Sequence, residues 1–121
     1  MSKKVLVVDD SESIRDVVSY TLKNEGYDVT TAEDGDKALA KIKKEKFRLV
    51  VTDLYMPNMD GLELIREIRK LDNYQGVPIL FLTTESQLGK KKEAKEAGAT
   101  GWIVKPFQPD KLLKALKKVL R

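Results

Sequence analysis

The stretch KVLVVDDSES, residues 4–13, decides how the chain is read. Val5, Leu6, Val7 and Val8 form a short apolar burst of the kind that fills a buried strand. The burst runs directly into two adjacent acids, Asp9 and Asp10, with no basic residue in the next four positions. Neighbouring carboxylates at the edge of a core repel each other and resist losing their water. A strand that ends this way needs a reason, and the rest of the chain supplies it.

Working outward, apolar bursts at 5–8, 28–32 (the weakest), 47–52, 79–82 and 102–104 alternate with segments of helical spacing. Ile14, Val17, Val18, Thr21 and Leu22 repeat at i, i+3, i+4, i+7 and i+8, and Gly26 follows as a C-terminal stop. Ala38, Leu39 and Ile42 make a second stripe, and Leu64, Ile65, Ile68 and Leu71 a third. Leu112, Leu113, Leu116, Val119 and Leu120 make the last, with Pro109 suited to its first turn. The segment 88–98 carries only small apolar residues after Leu88. A helix there buries little and is expected to be the most mobile element. Five strands alternating with five helices on short connections predict a parallel sheet covered on both faces.

Composition narrows the function classes. With 121 residues and a hydrophobic fraction of 41%, the chain suits one ordered domain spanning 1–121. The 23 basic and 19 acidic residues leave a net charge of +4, both signs spread along the chain. There is no cysteine, hence no disulfide or thiolate metal site, which fits a reducing compartment. There is no histidine either, so imidazole bases and ligands are excluded. No apolar run approaches the ~20 residues that span a bilayer, and the start has no signal-peptide pattern. A cytoplasmic protein without membrane contact is expected.

In an open parallel sheet, ligands bind beyond the carboxyl ends of the strands. The first strand ends at Asp9 and Asp10, and the third at Asp53 in LVVTDLYMPNMDG. The fourth runs into Thr83 and Thr84 in ILFLTTES, and the fifth into Lys105 and Pro106 in GWIVKPF. The second leads only to Glu33, Asp34 and Gly35, read as turn and cap residues. Each position alone has an ordinary structural explanation. Their joint placement at the ends of four strands brings three carboxylates, a hydroxyl and an ammonium to one rim.

The set VVDD, TDLYMPNMDG, LTTES and GWIVKPF resembles the receiver domains of two-component response regulators, specifically the CheY-like chemotaxis type. The similarity covers essentially the whole chain with motif order and spacing intact. It implies a flavodoxin-like α/β fold with a five-stranded parallel sheet in the order 2-1-3-4-5. It also implies a sensor histidine kinase as phosphodonor and Mg²⁺ as cofactor. Under the resemblance, Asp53 is the phosphoacceptor. Asp10 is a direct metal ligand and Asp9 a ligand through water, and Asp53 and the Tyr55 backbone carbonyl complete the set. Thr83 hydrogen-bonds a phosphoryl oxygen, while Lys105 neutralises another and pairs with Asp53 at rest. Mg²⁺ suits such a site because it takes hard oxygen ligands and keeps several waters. The opening pair of acids would then sit unpaired because a cation fills the space between them. At ~4 Å and an effective dielectric near 20, two such charges repel by several kcal/mol.

Further expectations follow from the same resemblance. Tyr55 and Glu85 border the path of the water that hydrolyses the acyl phosphate. Trp102 stands where the family more often has Tyr or Phe, and its bulk favours a partly exposed anchor over an inward swing. The Lys105–Pro106 peptide is expected to be cis. The output face would carry Trp102 with Lys90, Lys91, Lys92 and Lys95, and Lys111, Lys114, Lys117 and Lys118. The chain is expected to be a monomeric signalling switch that catalyses only its own phosphorylation and dephosphorylation. A flagellar motor switch component is the expected downstream partner, with a phosphorelay role or a non-flagellar partner as the alternative. A flavin binder is disfavoured because Asp9 and Asp10 would repel the flavin phosphate. A haloacid-dehalogenase-like phosphatase would need an acid where Tyr55 stands. A nucleic-acid binder has only the net charge in its favour.

Overall fold

The computed structural model describes residues 3–84, 89–105 and 108–120, with Thr83 described in its backbone alone. The elements run β1 Lys4–Val8, α1 Glu12–Asn24, β2 Asp28–Ala32, α2 Gly35–Lys44, β3 Leu49–Asp53 and α3 Gly61–Arg69. A 3-10 turn, Asp72–Tyr74, leads to β4 Ile79–Thr84, α4 Lys91–Ala97, β5 Gly101–Lys105 and α5 Pro109–Val119. All five strands pair in parallel in the order β2-β1-β3-β4-β5, so the flavodoxin-like expectation holds.

Alternation along the central strands builds two cores. Val5, Val7, Leu49, Val51, Leu80 and Leu82 face one way, against Val18 and Leu22 of α1 and Leu112 and Leu116 of α5. Leu6, Val8, Val50 and Ile79 face the other way, against Ala38 and Ile42 of α2 and Leu64, Ile65 and Ile68 of α3. Both faces are covered, which is why these strands read as unbroken apolar runs. In the stripe assigned to α1, Val18, Thr21 and Leu22 are buried as expected. Val17, expected beside them, is 50% exposed. It lies at the margin of the apolar arc, one turn before Thr21, whose hydroxyl donates to the Val17 carbonyl at 2.9 Å.

Local chemistry fixes the helix ends. Ser11 caps α1, its Oγ accepting from the Ile14 N–H, and Gly26 leaves the helix at φ +90°. Asp34 and Asp60 cap α2 and α3 by accepting from the N–H of Lys37 and of Glu63. Helix α4 has seven residues, no side-chain cap and one buried side chain, Ala94. Its expected shallow packing is what the structure contains.

The lower half of the sheet holds a polar hub that the sequence did not announce. Tyr74 is 1% exposed, and its hydroxyl accepts from the Phe47 N–H at 3.0 Å while donating to the Glu45 carbonyl at 2.9 Å. Arg69 donates to the carbonyls of Tyr74, Val77 and Gly98 at 2.6, 2.7 and 2.9 Å, tying α3 to the end of α4.

Candidate functional site

Parallel strands in register carry their last residues to one rim. β3 ends at Asp53, paired in register with Leu82 of β4, and Thr84 of β4 lies opposite Lys105 of β5. Asp9 follows β1, its N–H donating to the Ala32 carbonyl at 3.2 Å. Carboxylate oxygens of Asp9, Asp10 and Asp53 thereby fall within 4.8 Å of one another. Their burial differs. Asp9 is fully buried and Asp53 nearly so, whereas Asp10 is exposed.

Lys105 Nζ bridges the cluster at 3.0 Å from Asp9 Oδ2 and 3.3 Å from Asp53 Oδ1. This corrects, for Asp9, the expectation that the adjacent acids sit unpaired. Asp9 has the ammonium on one oxygen and the Ser11 N–H, at 2.9 Å, on the other. The partner was hidden because it arrives from 96 residues away, across three strands. Lys105 also does not belong to Asp53 alone, and its shorter contact is with Asp9.

Asp53 Oδ1 accepts the Leu54 N–H at 2.9 Å, which fixes its rotamer at the strand end. Burial pushes the Asp53 carboxyl above the usual carboxylate range, the Asp9 charge pushes it further, and Lys105 and the Leu54 N–H pull it back. Gly61 lets α3 start directly against this strand end. Its N–H donates to the Leu54 carbonyl at 2.7 Å, and a Cβ there would lie 2.1 Å from the Asp53 carbonyl oxygen. No side chain other than hydrogen fits. Asn58, at φ +70°, carries the intervening turn and donates through Nδ2 to Asp34 Oδ2 at 3.0 Å, joining the β3 loop to the β2 loop.

Three hard carboxylate oxygens beside an open rim are a donor set that fits Mg²⁺. Tyr55 is 49% exposed at the rim. The Thr83 side chain and Glu85, expected to tune hydrolysis, lie outside the described residues, as does Pro106 and with it the expected cis peptide. Trp102 is 46% exposed, with Lys91 Nζ 3.7 Å from its ring centroid and the Phe81 ring tilted against it. Lys90 and Lys91 are half-buried, while Lys95 and Lys114 are exposed. One contact escaped the sequence reading altogether: Arg15 donates to the Asp9 carbonyl at 2.6 Å. Its position one helical turn after the Ser11 cap was the available signal.

The sheet order and the acidic rim are those of a receiver-type α/β domain. The chain matches the response regulator receiver domain across residues 5–117 and belongs to that family. It is a response regulator receiver domain, and such domains are signalling switches that generally use Mg²⁺ at an acidic pocket. Among solved structures it is similar to the chemotaxis protein CheY4 of Vibrio cholerae. That match has 52% identity and a TM-score of 0.94, and covers 99% of this chain and 100% of that one. It also resembles the receiver domain of NtrX from Brucella abortus at 36% identity and a TM-score of 0.90, over 96% and 97% of the two chains. Among curated proteins it is 41% identical to the alkaline phosphatase synthesis transcriptional regulatory protein PhoP of Bacillus subtilis. All of this chain aligns there to 50% of the relative, so the chain spans about half the length of that protein. Among the described residues no helix is long and apolar enough to cross a membrane.

Proposed function

We propose that Asp53 accepts a phosphoryl group from a histidine kinase and that the phosphorylated chain signals by binding a partner protein. The observation that carries this is the convergence of three carboxylates within 4.8 Å, with one ammonium shared between Asp9 and Asp53. An Asp53 carboxylate oxygen attacks phosphorus in line, the donor's N–P bond breaks, and the donor imidazole leaves. Asp9, Asp10, Asp53 and the Tyr55 carbonyl would hold Mg²⁺, which when bound would supply charge neutralisation for the phosphoryl oxygens. Lys105 faces the same oxygens from the β5 side, and its contact with Asp53 is released to them as that carboxylate loses its negative charge in the acyl phosphate. Thr83 donates to a phosphoryl oxygen. Tyr55 and Glu85 set the access of the hydrolytic water.

The full-length similarity to CheY4 supports a chemotaxis output, with a flagellar motor switch component as the partner of phosphorylated protein. The similarity to PhoP, a transcriptional regulatory protein, favours a second reading in which the domain serves a phosphorelay or a non-flagellar output. Trp102 with Lys90, Lys91, Lys95 and Lys114 forms the docking face in the first reading, and an acidic partner segment fits those charges. The chemistry is tested by incubation with a small acyl phosphate and Mg²⁺, read by intact mass. A gain of one phosphoryl group, lost with chelator, is expected, and an unmodified chain would overturn the proposal. Phosphorylation-dependent pull-down of a flagellar switch protein separates the two outputs.

A further inference from the structure

On the far side of β1 from Asp53, a notch of about 210 Å³ opens between α1, the end of β2 and α2. Its walls are Arg15, Thr31, Ala32, Glu33, Lys37 and Lys41. Three cations and one carboxylate therefore face a single concavity. Glu33 is already paired with Lys37. Arg15 and Lys41 are half-buried, and neither has a carboxylate within ion-pair distance among the described residues. The nearby acid that could have answered them, Asp34, is turned away to the Asn58 amide and the Lys37 N–H.

Both unpaired cations are held in place by the backbone. Arg15 donates to the Asp9 carbonyl at 2.6 Å, and Lys41 Nζ donates to the Thr31 carbonyl at 2.5 Å. Each keeps further N–H donors for a ligand, five in total on a guanidinium and three on an ammonium. Partly desolvated like charges that share a cleft gain most from an anion that fills it. A flexible surface lysine would have to be ordered by its ligand, whereas these side chains are ordered beforehand. The volume lies below the roughly 300 Å³ at which pockets for drug-sized ligands begin, which suits a compact oxyanion.

We propose that this notch is a binding site for a small phosphate-type dianion, separate from the phosphoacceptor rim, with Arg15 and Lys41 as its principal donors. The dianion can come as free phosphate or as the end of a phosphomonoester. Occupancy also reaches the rim, because the same Arg15 guanidinium holds the carbonyl of Asp9.

The test is an amide-resolved titration of the whole chain with inorganic phosphate, at mildly alkaline pH and with chelator present so that the acidic rim repels anions. Saturable shifts centred on the amides of Ala32, Glu33 and Arg15, with half-saturation in the millimolar range, are expected. They persist in Asp53→Asn. They weaken on the order of tenfold in Arg15→Gln and in Lys41→Gln, since a charge-assisted hydrogen bond is lost in each. A parallel titration with glycerol 3-phosphate identifies the source, tighter binding naming the ester and weaker binding free phosphate. The proposal is overturned by shifts that sodium chloride reproduces at equal ionic strength, by shifts centred on Asp9 and Asp53, or by none. If a variant does not fold, the map of the unsubstituted chain still decides.

Discussion

Replacing Lys105 with methionine removes the one ammonium among the described residues that touches both buried acids. Its Nζ lies 3.0 Å from Asp9 and 3.3 Å from Asp53, and at an effective dielectric near 20 each contact is worth about 5 kcal/mol in gross attraction. What is left behind is a pair of buried carboxylates within 4.8 Å, repelling by roughly 3 kcal/mol on the same scale. Desolvation of the ammonium, regained on its removal, offsets part of the loss. Proton uptake by the acids offsets more. Breaking a buried pair by removing one partner typically costs about 3–5 kcal/mol, and the lower end applies here because Asp10 opens the cluster to water. With a urea slope of about 2 kcal/mol per molar, Lys105→Met lowers the unfolding midpoint by roughly 1.5 M in the absence of metal. The same substitution makes the cluster more negative, so Mg²⁺ binds on the order of tenfold more tightly and recovers much of the lost stability. Urea melts with chelator and with saturating Mg²⁺, alongside calorimetric titration of the metal, measure both effects. An unchanged midpoint in chelator, or Mg²⁺ binding that weakens, would show that Lys105 does not hold the two acids together.

Three further outcomes follow from the contacts. The Asp53 carboxyl is held above its ordinary range by burial and then by Asp9, so the folded state binds that proton more tightly than the unfolded state. Metal-free stability therefore falls as pH rises from the ordinary carboxylate range to the raised one. Asp53→Asn flattens that segment and stabilises the chain at neutral pH, whereas identical pH slopes in the two proteins would count against the assignment. Tyr74→Phe leaves the buried Phe47 N–H and Glu45 carbonyl without the hydroxyl they share, and should cost about 1–3 kcal/mol in denaturant unfolding; a loss under half of that range would show water replacing it. Gly61→Ala drives a methyl to 2.1 Å from the Asp53 carbonyl, so it should destabilise by more than ~3 kcal/mol and weaken Mg²⁺ binding, a mild effect on both showing that α3 can slide.

Most of the architecture was legible because it rests on period. Apolar bursts and helical stripes gave five strands and five helices, and even the weak β2 at Asp28–Ala32 was placed. Sheet order came from motif resemblance, since period alone does not order strands. The rim was legible because its residues end strands, and strand ends in a parallel sheet converge whatever the details. Three things were not. Val17 carries an apolar side chain at the edge of the helical arc, and a wheel cannot tell edge from centre. Tyr74 is a buried and Arg69 a half-buried polar anchor, with partners up to 32 residues away and no local signature. The Lys105 contact with Asp9 spans 96 residues and required the fold before it could be seen.

The proposed chemistry needs a divalent cation held by the clustered acids and phosphorus taken up by Asp53 alone. It is tested most directly by treating the chain with an acyl phosphate and Mg²⁺, reducing the acyl phosphate with borohydride, and locating the modified residue by peptide mass. Conversion confined to Asp53 and dependent on the metal is the outcome this account requires. Conversion at Asp9 or Asp10, or labelling of Asp53 that proceeds equally well in chelator, would contradict it.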